Sequence, residues 1–459
     1  MQLLRLSMEY PGTKFTYPIR RATLIFFIAF FIIASPIIIM YTAGYRYDWA
    51  NGLLKETGAI SIDVEPPQAS VYLNGIKLKD NMPIRLNNIA PGRYGLNISA
   101  SGYYDWVTEI DVKNKQTVYI KEISLLKKNR PQILISGNMQ TFALSDDYKY
   151  IIYTTQKTNN TEIWLWNTAD HSAAILTKIN TLNPLKISWS KNGDYAVVSN
   201  QTSPYTTLLL LNANNPLSIT NISANTAQAI EKYQWDPQGL ALYFSTKNNI
   251  ISYDPQNQQT QIVTKNSYLD WYMYRGGLLT LQINTTSKQY KIISDTLGFK
   301  SAFNSMAYTG SDDLARNQYK IAMADAGKVL LKNTRTAEME LVTANNAFQI
   351  SGDKFLVSKY NNWLIVWTPW ELWTYSDGAS EPNLLNRSGE NLQQAIPLDQ
   401  YNTLALVWAN KTTALFPYYL VSHDLFNDKI NIADADTDKK ILYYIDNTKG
   451  NEGIWSLEY

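Results

Sequence analysis

The chain has 459 residues, of which 45% are hydrophobic and 17% charged, so it is long enough for two or three packed domains and too poor in charge to favour long disordered tails. Its formal net charge of +2 at pH 7 gives no bulk reason to expect a nucleic-acid partner, and its lack of cysteine excludes disulfides, cysteine-ligated zinc and thiol catalysis. Aromatic residues reach 13%, which favours strands over helices. We therefore expect an all-β architecture.

One apolar run near the N-terminus is long enough to cross a membrane. Residues 22–43 read ATLIFFIAFFIIASPIIIMYTA and carry no charge. About 20 apolar residues in a helix span a hydrocarbon core of ~30 Å. Pro36 would kink a soluble helix, but membrane helices tolerate proline. We predict a transmembrane helix over residues 22–43.

The charges that flank this run predict its orientation. Four basic residues and one acidic residue precede it, whereas two of each follow it closely. The positive-inside tendency makes residues 1–21 a cytoplasmic arm and places the rest outside, so we expect a single-pass protein of the cell membrane, N-in/C-out, with extracytoplasmic C-terminal domains. The alternative is a signal peptide cleaved near Thr42-Ala43-Gly44, although the apolar run exceeds the ~7–15 residues of such a peptide's core.

A small β-domain follows the juxtamembrane stretch. Ile60, Ile62 and Val64 alternate with more polar residues, and Asn74-Gly75 is a strong hairpin-turn signal because both positions tolerate positive φ. Further strands are predicted over Trp106–Val112 and Thr117–Ile123. The pattern indicates a compact unit of about five strands.

Several separated elements of this region occur in the order of a known family. They are E-P-P-Q-A-S-V-Y-L-N-G at residues 65–75, I-A-P-G-R-Y at 89–94, and S-G-Y at 101–103 followed by Trp106. The region resembles a PEGA domain and is predicted over residues 58–127; Pro67-Gln68 departs from the glycine that the family's name suggests. The resemblance implies a small extracytoplasmic β-sandwich that spaces or adheres and has no catalytic residues.

Beyond residue 130 the sequence repeats. The openings W-S-K-N-G-D at residues 189–194 and W-D-P-Q-G at 235–239 lie 46 residues apart, close to the ~40–45 residues of a four-stranded propeller blade. Further openings are predicted near Tyr268, Asn317, Phe348, Ile396 and Ile432. Stacking such sheets in a ring buries their faces, so residues 130–459 are predicted to form a β-propeller of eight blades, with seven as the alternative.

The last repeat is short of an outer strand, which Gln132–Ile135 is positioned to supply. Such a clasp closes a ring without leaving an open sheet edge. The W-S-x-N-G and W-D-P-x-G openings are similar to the repeats of TolB-like, WD40-like propellers. This resemblance implies the propeller fold and no particular ligand.

Candidate catalytic and metal-binding groups are sparse. The two histidines, His171 and His423, lie in polar surroundings and are expected at the surface. No nucleophile elbow, zinc-protease motif, phosphate loop or dinucleotide fingerprint occurs. Asp434, Asp436 and Asp438 have a spacing that can hold calcium, but no bidentate glutamate follows, and a solvated turn is the favoured interpretation. We expect no cofactor and no enzyme activity.

A cluster of tryptophans is the strongest candidate for a binding surface. Trp363, Trp367, Trp370 and Trp373 fall within one repeat. Indole faces stack on sugar rings and on apolar partners. Packing between blades is the alternative explanation. We predict that the cluster is a ligand-binding aromatic patch, and packing between blades stays open as the other explanation.

Two functions remain open. The first is a non-enzymatic binding or scaffold protein, in which the PEGA-like spacer presents the propeller to a protein or a cell-envelope glycan. The second is a propeller lyase or hydrolase that acts on an envelope polymer, which would require convergent acidic, tyrosine or arginine side chains in the central channel. The missing motifs favour the first.

Overall fold

The computed structural model describes residues 17–42, 44–48, 53–79, 81–202, 205–226, 228–247, 249–264, 268–275, 277–284, 286, 289–294, 306–307, 318–325, 328–336, 338–343, 347–358, 363–376, 379–401, 403–448 and 450–459. The predicted cytoplasmic arm, up to residue 16, and Ala43 lie outside these residues. Contacts divide the chain into two compact units, Met1–Leu125 and Leu126–Tyr459. We describe each unit by itself.

The first unit begins with one helix, α1 (Tyr17–Thr42), which contains Pro36. Its segment Pro18–Thr42 is long and apolar enough to cross a membrane and is not buried against the rest of the protein. Large side chains such as Phe27 and Phe31 are exposed along it. This exposure is what a lipid-facing helix requires, although a signal sequence near the N-terminus would share these properties.

A short hairpin links this helix to the following β-domain. Its strands β1 (Tyr45–Asp48) and β2 (Leu53–Glu56) are antiparallel. The Arg46 guanidinium lies 3.7 Å from the centre of the Tyr41 ring and donates to the Tyr41 carbonyl at 2.6 Å. A cation at the C-terminal end of a helix is favourable because the free carbonyls there carry partial negative charge.

Seven strands form the β-domain of the first unit. They are β3 (Gly58–Glu65), β4 (Ser70–Leu73), β5 (Ile76–Lys77), β6 (Ile84–Ile89), β7 (Gly92–Ser99), β8 (Trp106–Val112) and β9 (Thr117–Ser124). One sheet has the order β6-β3-β9, with β3 and β9 parallel, and the other has the order β5-β4-β7-β8. The small β-sandwich predicted from the sequence is confirmed.

The core of this sandwich follows the alternation in the sequence. Ile60 and Ile62 on one sheet and Leu96 and Ile98 on the other are at most 1% exposed, as is Trp106. Asn74 and Gly75 have φ values of 48° and 79°, which is the left-handed conformation that a tight hairpin turn demands.

The second unit contains eight four-stranded antiparallel sheets among its described residues. Seven are formed by consecutive strands, and we number these sheets 1 to 7; sheet 8 combines β10 with the last three strands. The strands of sheet 8 and of sheets 1 to 3 are β10 (Gln132–Ser136); β11 (Met139–Leu144), β12 (Tyr150–Gln156), β13 (Thr161–Asn167), β14 (Ala173–Ile179); β15 (Lys186–Trp189), β16 (Tyr195–Thr202), β17 (Tyr205–Asn212), β18 (Ile219–Asn221); β19 (Lys232–Trp235), β20 (Leu242–Ser245), β21 (Ile250–Asp254), β22 (Gln259–Thr264).

The later sheets follow the same plan. Their strands are β23 (Asp270–Tyr274), β24 (Gly277–Asn284), β25 (Gln289–Ser294), β26 (Met306–Ala307); β27 (Tyr319–Asp325), β28 (Lys328–Asn333), β29 (Glu338–Thr343), β30 (Ala347–Ser351); β31 (Lys354–Val357), β32 (Leu364–Trp367), β33 (Glu371–Tyr375), β34 (Asn383–Arg387); β35 (Leu392–Pro397), β36 (Leu404–Trp408), β37 (Thr412–Phe416), β38 (Val421–Phe426); β39 (Ala433–Asp436), β40 (Ile441–Asp446), β41 (Gly453–Glu458). One short 3-10 helix, Ser223–Asn225, follows β18.

Apolar clusters join each sheet to the next and so build a β-propeller. Buried residues of sheets 1 and 2 share one cluster, and the same holds along the chain to sheets 6 and 7. Phe426 of sheet 7 stacks on Tyr444 of sheet 8 at 4.7 Å, and a further cluster joins sheet 8 to sheet 1. First strands of neighbouring sheets, such as β11 and β15, contact one another. These strands therefore line the inside of the ring.

The ring closes through a strand from the beginning of the second unit. In sheet 8, β10 pairs antiparallel with β41 and forms the outer edge, opposite β39. Gly453 lies in this pairing, where a Cβ would collide with the main-chain oxygen of Ile135. The predicted clasp is confirmed.

One prediction about the middle repeats was wrong, and another falls outside the described residues. Phe348 does not open a repeat: it lies in β30, the fourth strand of sheet 5, and sheet 6 opens at Lys354. Weak turn signals in this stretch left the strand register ambiguous. The opening expected at Asn317 lies outside the described residues.

Candidate ligand-binding site of the propeller

Two of the four tryptophans of the predicted patch lie on opposite faces of sheet 6. Trp367, at the end of β32, is 5% exposed and packs with residues of sheet 7. Trp373, in β33, packs against the cluster shared with sheet 5, and its Nε1 donates to Glu371 Oε2 at 3.0 Å. These two rings therefore serve different inter-sheet joints.

The other two tryptophans lie at opposite ends of the β32–β33 hairpin. Trp363 precedes β32 and contacts Tyr418 of sheet 7, with ring centres 4.9 Å apart. Trp370 lies in the tight turn and is 59% exposed. The four rings do not form one continuous surface. A ligand role for them stays a prediction, and Trp370 is the member whose exposure suits it best.

An open cavity at the inside of the ring is the other candidate. It has a volume of about 620 Å³ and lies where β31 and β35 approach each other, and we call it the inner-strand cavity. Its lining includes Asp353, Lys354, Phe355, Leu356, Trp367, Gln393, Gln394, Ala395 and Asn431. Cavities of roughly 300–1,000 Å³ with a few fixed polar groups are typical of small-ligand sites.

Hydrogen bonds across the strands fix several of these side chains. Lys354 Nζ donates to the Gln393 carbonyl at 2.8 Å. The Gln394 amide donates to the Ala433 carbonyl at 2.7 Å and accepts from the Ala433 N–H at 3.1 Å. The cavity floor thus ties sheets 6, 7 and 8 together, and Phe355 stands half-buried in its wall.

Two buried polar atoms in the wall have no partner among the described residues. They are Asp353 Oδ1 and Trp367 Nε1. Most buried polar atoms in folded proteins are hydrogen-bonded, and leaving one unpaired costs roughly 1–3 kcal/mol. Both atoms are buried from solvent, so the lining groups that a ligand can reach include the Phe355 ring, Lys354 and Gln393, which suit a hydroxyl-rich or amide-rich ligand.

The cavity lining contains few titratable side chains. It contains one carboxylate, Asp353, and neither a histidine nor a nucleophile paired with a base. Across the described parts of the chain, no group of three or more histidine, aspartate or glutamate side chains could hold a metal ion. Of the aspartates considered for calcium, Asp436 serves a turn, since its Oδ1 accepts from the N–H groups of Asp438 and Lys439 at 3.1 and 2.9 Å; Asp436 is buried, so it is not the solvated residue that the sequence predicted.

Other titratable groups on the first strands of the propeller sheets are buried or ion-paired. Asp270 is buried and ion-paired with Lys232 at 2.8 Å. Burial, and to a lesser degree the charge of Asp325, raises the pKa of Tyr272. Its phenol therefore stays protonated at neutral pH and can donate a hydrogen bond but cannot act as a base. His171 is exposed as expected, whereas His423 lies within β38 and is half-buried.

Sequence reasoning missed most residues of the inner-strand cavity. Phe355 and Asn431 carry no motif, and the misplaced opening at Phe348 hid the position of β31 in its repeat. One signal was available: Gln394 is the third residue of its first strand, as Gln234 is in sheet 3, and each bonds to the residue 39 positions later.

Comparison with known proteins identifies one domain family. Residues 57–125 match the PEGA domain, and no curated protein matches the chain. The solved β-propeller domain of Cps50 (Swd1) from Myceliophteria thermophila is similar at a TM-score of 0.44 and 9% identity, over 72% of this chain and 98% of that one. The solved structure of oligogalacturonate lyase in complex with manganese is similar at a TM-score of 0.40 and 9% identity, over 70% of this chain and 97% of that one. Residues 57–125 are thus a PEGA domain, which follows an N-terminal apolar helix and precedes a β-propeller.

Proposed function

We propose that this is a single-pass membrane protein, N-in/C-out, whose PEGA domain spaces a binding propeller from the membrane. The propeller recognises a protein or a cell-envelope glycan without catalysis. The inner-strand cavity carries this proposal, because it combines an aromatic wall at Phe355 with the accessible polar side chains of Lys354 and Gln393. The exposed apolar helix supports the anchor.

The enzyme alternative needs groups that transfer protons or attack a bond. A lyase or hydrolase requires an acid and a base placed on either side of the scissile bond. Among the described lining residues of the inner-strand cavity, Asp353 is the lone carboxylate. This composition favours binding, and a product assay decides between the two.

The binding test uses the full chain in detergent and a panel of neutral and amino-sugar oligosaccharides, with calorimetry as the readout. Phe355→Ala removes the aromatic wall and is expected to weaken binding about tenfold, since one aromatic stacking contact contributes on the order of 1 kcal/mol or more. Trp370→Ala is the matched control, because that ring is exposed and lies outside the cavity lining.

The two variants separate the candidate surfaces. Loss of binding in Trp370→Ala with retention in Phe355→Ala would move the site to the turn of sheet 6. Near-ultraviolet circular dichroism shows whether Phe355→Ala still folds. Shortened or unsaturated oligosaccharides after incubation, detected by mass spectrometry, would establish the enzyme instead.

The orientation of the chain in the membrane is tested separately. Protease treatment of intact spheroplasts carrying a tag at each terminus is expected to remove the C-terminal tag and to spare the N-terminal one. Protection of the C-terminal tag until lysis would overturn the extracytoplasmic placement. Loss of the N-terminal tag from the mature chain would indicate cleavage after the helix.

A further inference from the structure

A second cavity lies at the closure of the ring, between sheets 8 and 1. Its volume is about 560 Å³, and its lining includes Arg130, Trp166, His171, Lys439, Tyr443 and Glu458; we call it the seam cleft. Three distant chain segments build it: the stretch around β10, the end of β13 with its turn, and the strands β40 and β41. Its size is within the range of small-ligand sites.

Strand register explains why these side chains converge. Tyr443 of β40 pairs with Ser456 of β41, which pairs with Gln132 of β10, so the three share one face of sheet 8. Two residues further along each strand, Ile441 pairs with Glu458, so their side chains lie on the same face. The face looks towards Trp166 of sheet 1.

The lining of the cleft has more basic residues, Arg130 and Lys439, than acidic ones, of which Glu458 is the one among the described lining residues. The Glu458 carboxylate pairs with Lys127 and accepts from Asn129 Nδ2 at 3.4 Å. Within the described residues, the Arg130 guanidinium has no ion pair or hydrogen bond, and the nearest carboxylate to Lys439 Nζ is that of Asp436, at 3.8 Å. Arg130 thus lines the cavity without a counter-ion among the described residues, and Lys439 lines it with only a long ion pair to the buried Asp436 carboxylate; two such cations attract an anion.

An aromatic wall stands beside these cations. The His171 ring lies 5.3 Å from that of Trp166, tilted by 38°, and His171 is exposed while Trp166 is buried. Tyr443 closes the floor at 3% exposure. Aromatic faces pack against the C–H faces of sugar rings, and hydroxyl and amide groups such as those of Ser456 and Gln132 bond to sugar hydroxyls.

We infer that the seam cleft is a second ligand site, which binds an acidic sugar: a sugar ring that carries a carboxylate or a phosphate. Arg130 and Lys439 hold the anionic group, and the Trp166–His171 wall holds the ring. The site is independent of the inner-strand cavity, so Phe355→Ala leaves it intact. Failure of one site therefore leaves the other testable.

The position of the cleft gives the ligand a structural effect. A ligand that contacts β10, β41 and sheet 1 together bridges the clasp that closes the ring. Because binding to the folded state alone adds stability in proportion to the logarithm of ligand concentration, the ligand raises the melting temperature of the propeller.

The test uses the full chain in detergent with D-glucuronate, glucose 6-phosphate, D-glucose and inorganic phosphate, read by saturation-transfer NMR and by thermal unfolding. At least one acidic sugar is expected to bind and to raise the melting temperature. The double variant Arg130→Gln/Lys439→Gln is expected to weaken that binding at least tenfold. The control Lys191→Gln/Lys247→Gln removes two exposed lysines of sheets 2 and 3 and is expected to leave it unchanged.

Comparison of the four small molecules identifies the chemical class of the ligand. Preference for glucuronate over glucose 6-phosphate assigns a carboxylate, and the reverse assigns a phosphate. Equal binding of glucose, or equal binding of inorganic phosphate and glucose 6-phosphate, would overturn the inference, since charge or ring would then be irrelevant. Binding of no acidic sugar, or equal loss in the control variant, would overturn it as well.

Discussion

The joints between sheets 1, 2 and 3 differ from those between sheets 3, 4 and 5. In the first group, an indole on the last residue of a first strand reaches the preceding sheet: Trp189 Nε1 donates to the Ala143 carbonyl at 3.0 Å, and Trp235 Nε1 to the Ser188 carbonyl at 3.1 Å. The same bond recurs because the same motif recurs.

The second group uses charge in place of indole. Asp270 is 5% exposed at its side chain; its Oδ1 accepts from Lys232 Nζ at 2.8 Å and its Oδ2 from the Ile321 N–H at 2.7 Å. One carboxylate thus joins the first strands of sheets 3, 4 and 5. Burial lowers the pKa of Lys232, and the charge of Asp270 opposes this shift.

This difference shows that a repeated architecture does not need repeated chemistry. The regular joints rest on ring packing with neutral hydrogen bonds, whereas the irregular joint adds one buried charged side chain, Asp270, that serves three sheets at once. A concentrated joint is more vulnerable to substitution. The predictions below test that contrast in order of decreasing effect.

The largest effect is expected from Asp270→Ala. The substitution leaves Lys232 without its carboxylate and the Ile321 N–H without an acceptor, and breaking a buried ion pair from one side costs about 3–5 kcal/mol. The free energy of unfolding from urea titration measures it. Glu390→Ala breaks the exposed pair with Lys411 and is expected to cost about 1 kcal/mol or less, so similar costs for both variants would contradict the contrast.

The next effect tests the closing joint. Gly453→Ala places a Cβ against the main-chain oxygen of Ile135 and forces β10 away from β41. Overpacking of this kind costs about 1–3 kcal/mol. Hydrogen exchange of the β10 amides is expected to accelerate with the loss of stability. Gly389→Ala is the control, because a Cβ there meets nothing within 4 Å.

A smaller effect is expected from Trp235→Phe. A six-membered aromatic ring stays, but the five-membered ring of the indole and its hydrogen bond to sheet 2 are lost; the hydrogen bond accounts for about 1 kcal/mol beyond the lost packing. Trp367→Phe is the matched control: this ring is equally buried, and its Nε1 has no partner among the described residues. Urea titration of both variants compares them, and an equal cost would show that the indole bond contributes nothing to the regular joint.

The smallest effect at neutral pH belongs to two tyrosines of the cluster that joins sheets 8 and 1. Burial raises the pKa of Tyr153 and of Tyr443 to about 12. Because these values exceed the unfolded pKa of about 10, their stabilisation is fully present below pH 10 and is lost as pH rises towards 12.

Urea midpoints measured between pH 8 and pH 11.5 are therefore expected to fall above pH 10. Tyr443→Phe is expected to flatten that fall, while Tyr418→Phe, which alters an exposed ring, leaves it unchanged. A midpoint that does not change across this range would contradict the raised pKa values of Tyr153 and Tyr443.

The sequence alone determined the features that are local. The uncharged apolar run, the alternation through Ile60 and Ile62, the Asn74-Gly75 turn and the spacing of Trp189 and Trp235 each act through neighbouring residues. Their periodicity therefore predicted the helix, the sandwich, the repeat and the clasp strand.

Only the tertiary structure decided which side chains meet across the ring. Trp367 and Trp373 are close in sequence yet face opposite sides of sheet 6, because alternate strand positions point to opposite faces. Asp270 reaches Ile321, and Arg130 joins Trp166 and Lys439 in one cleft, through contacts between segments far apart in the chain. Such contacts depend on strand register and sheet order, which no local pattern encodes.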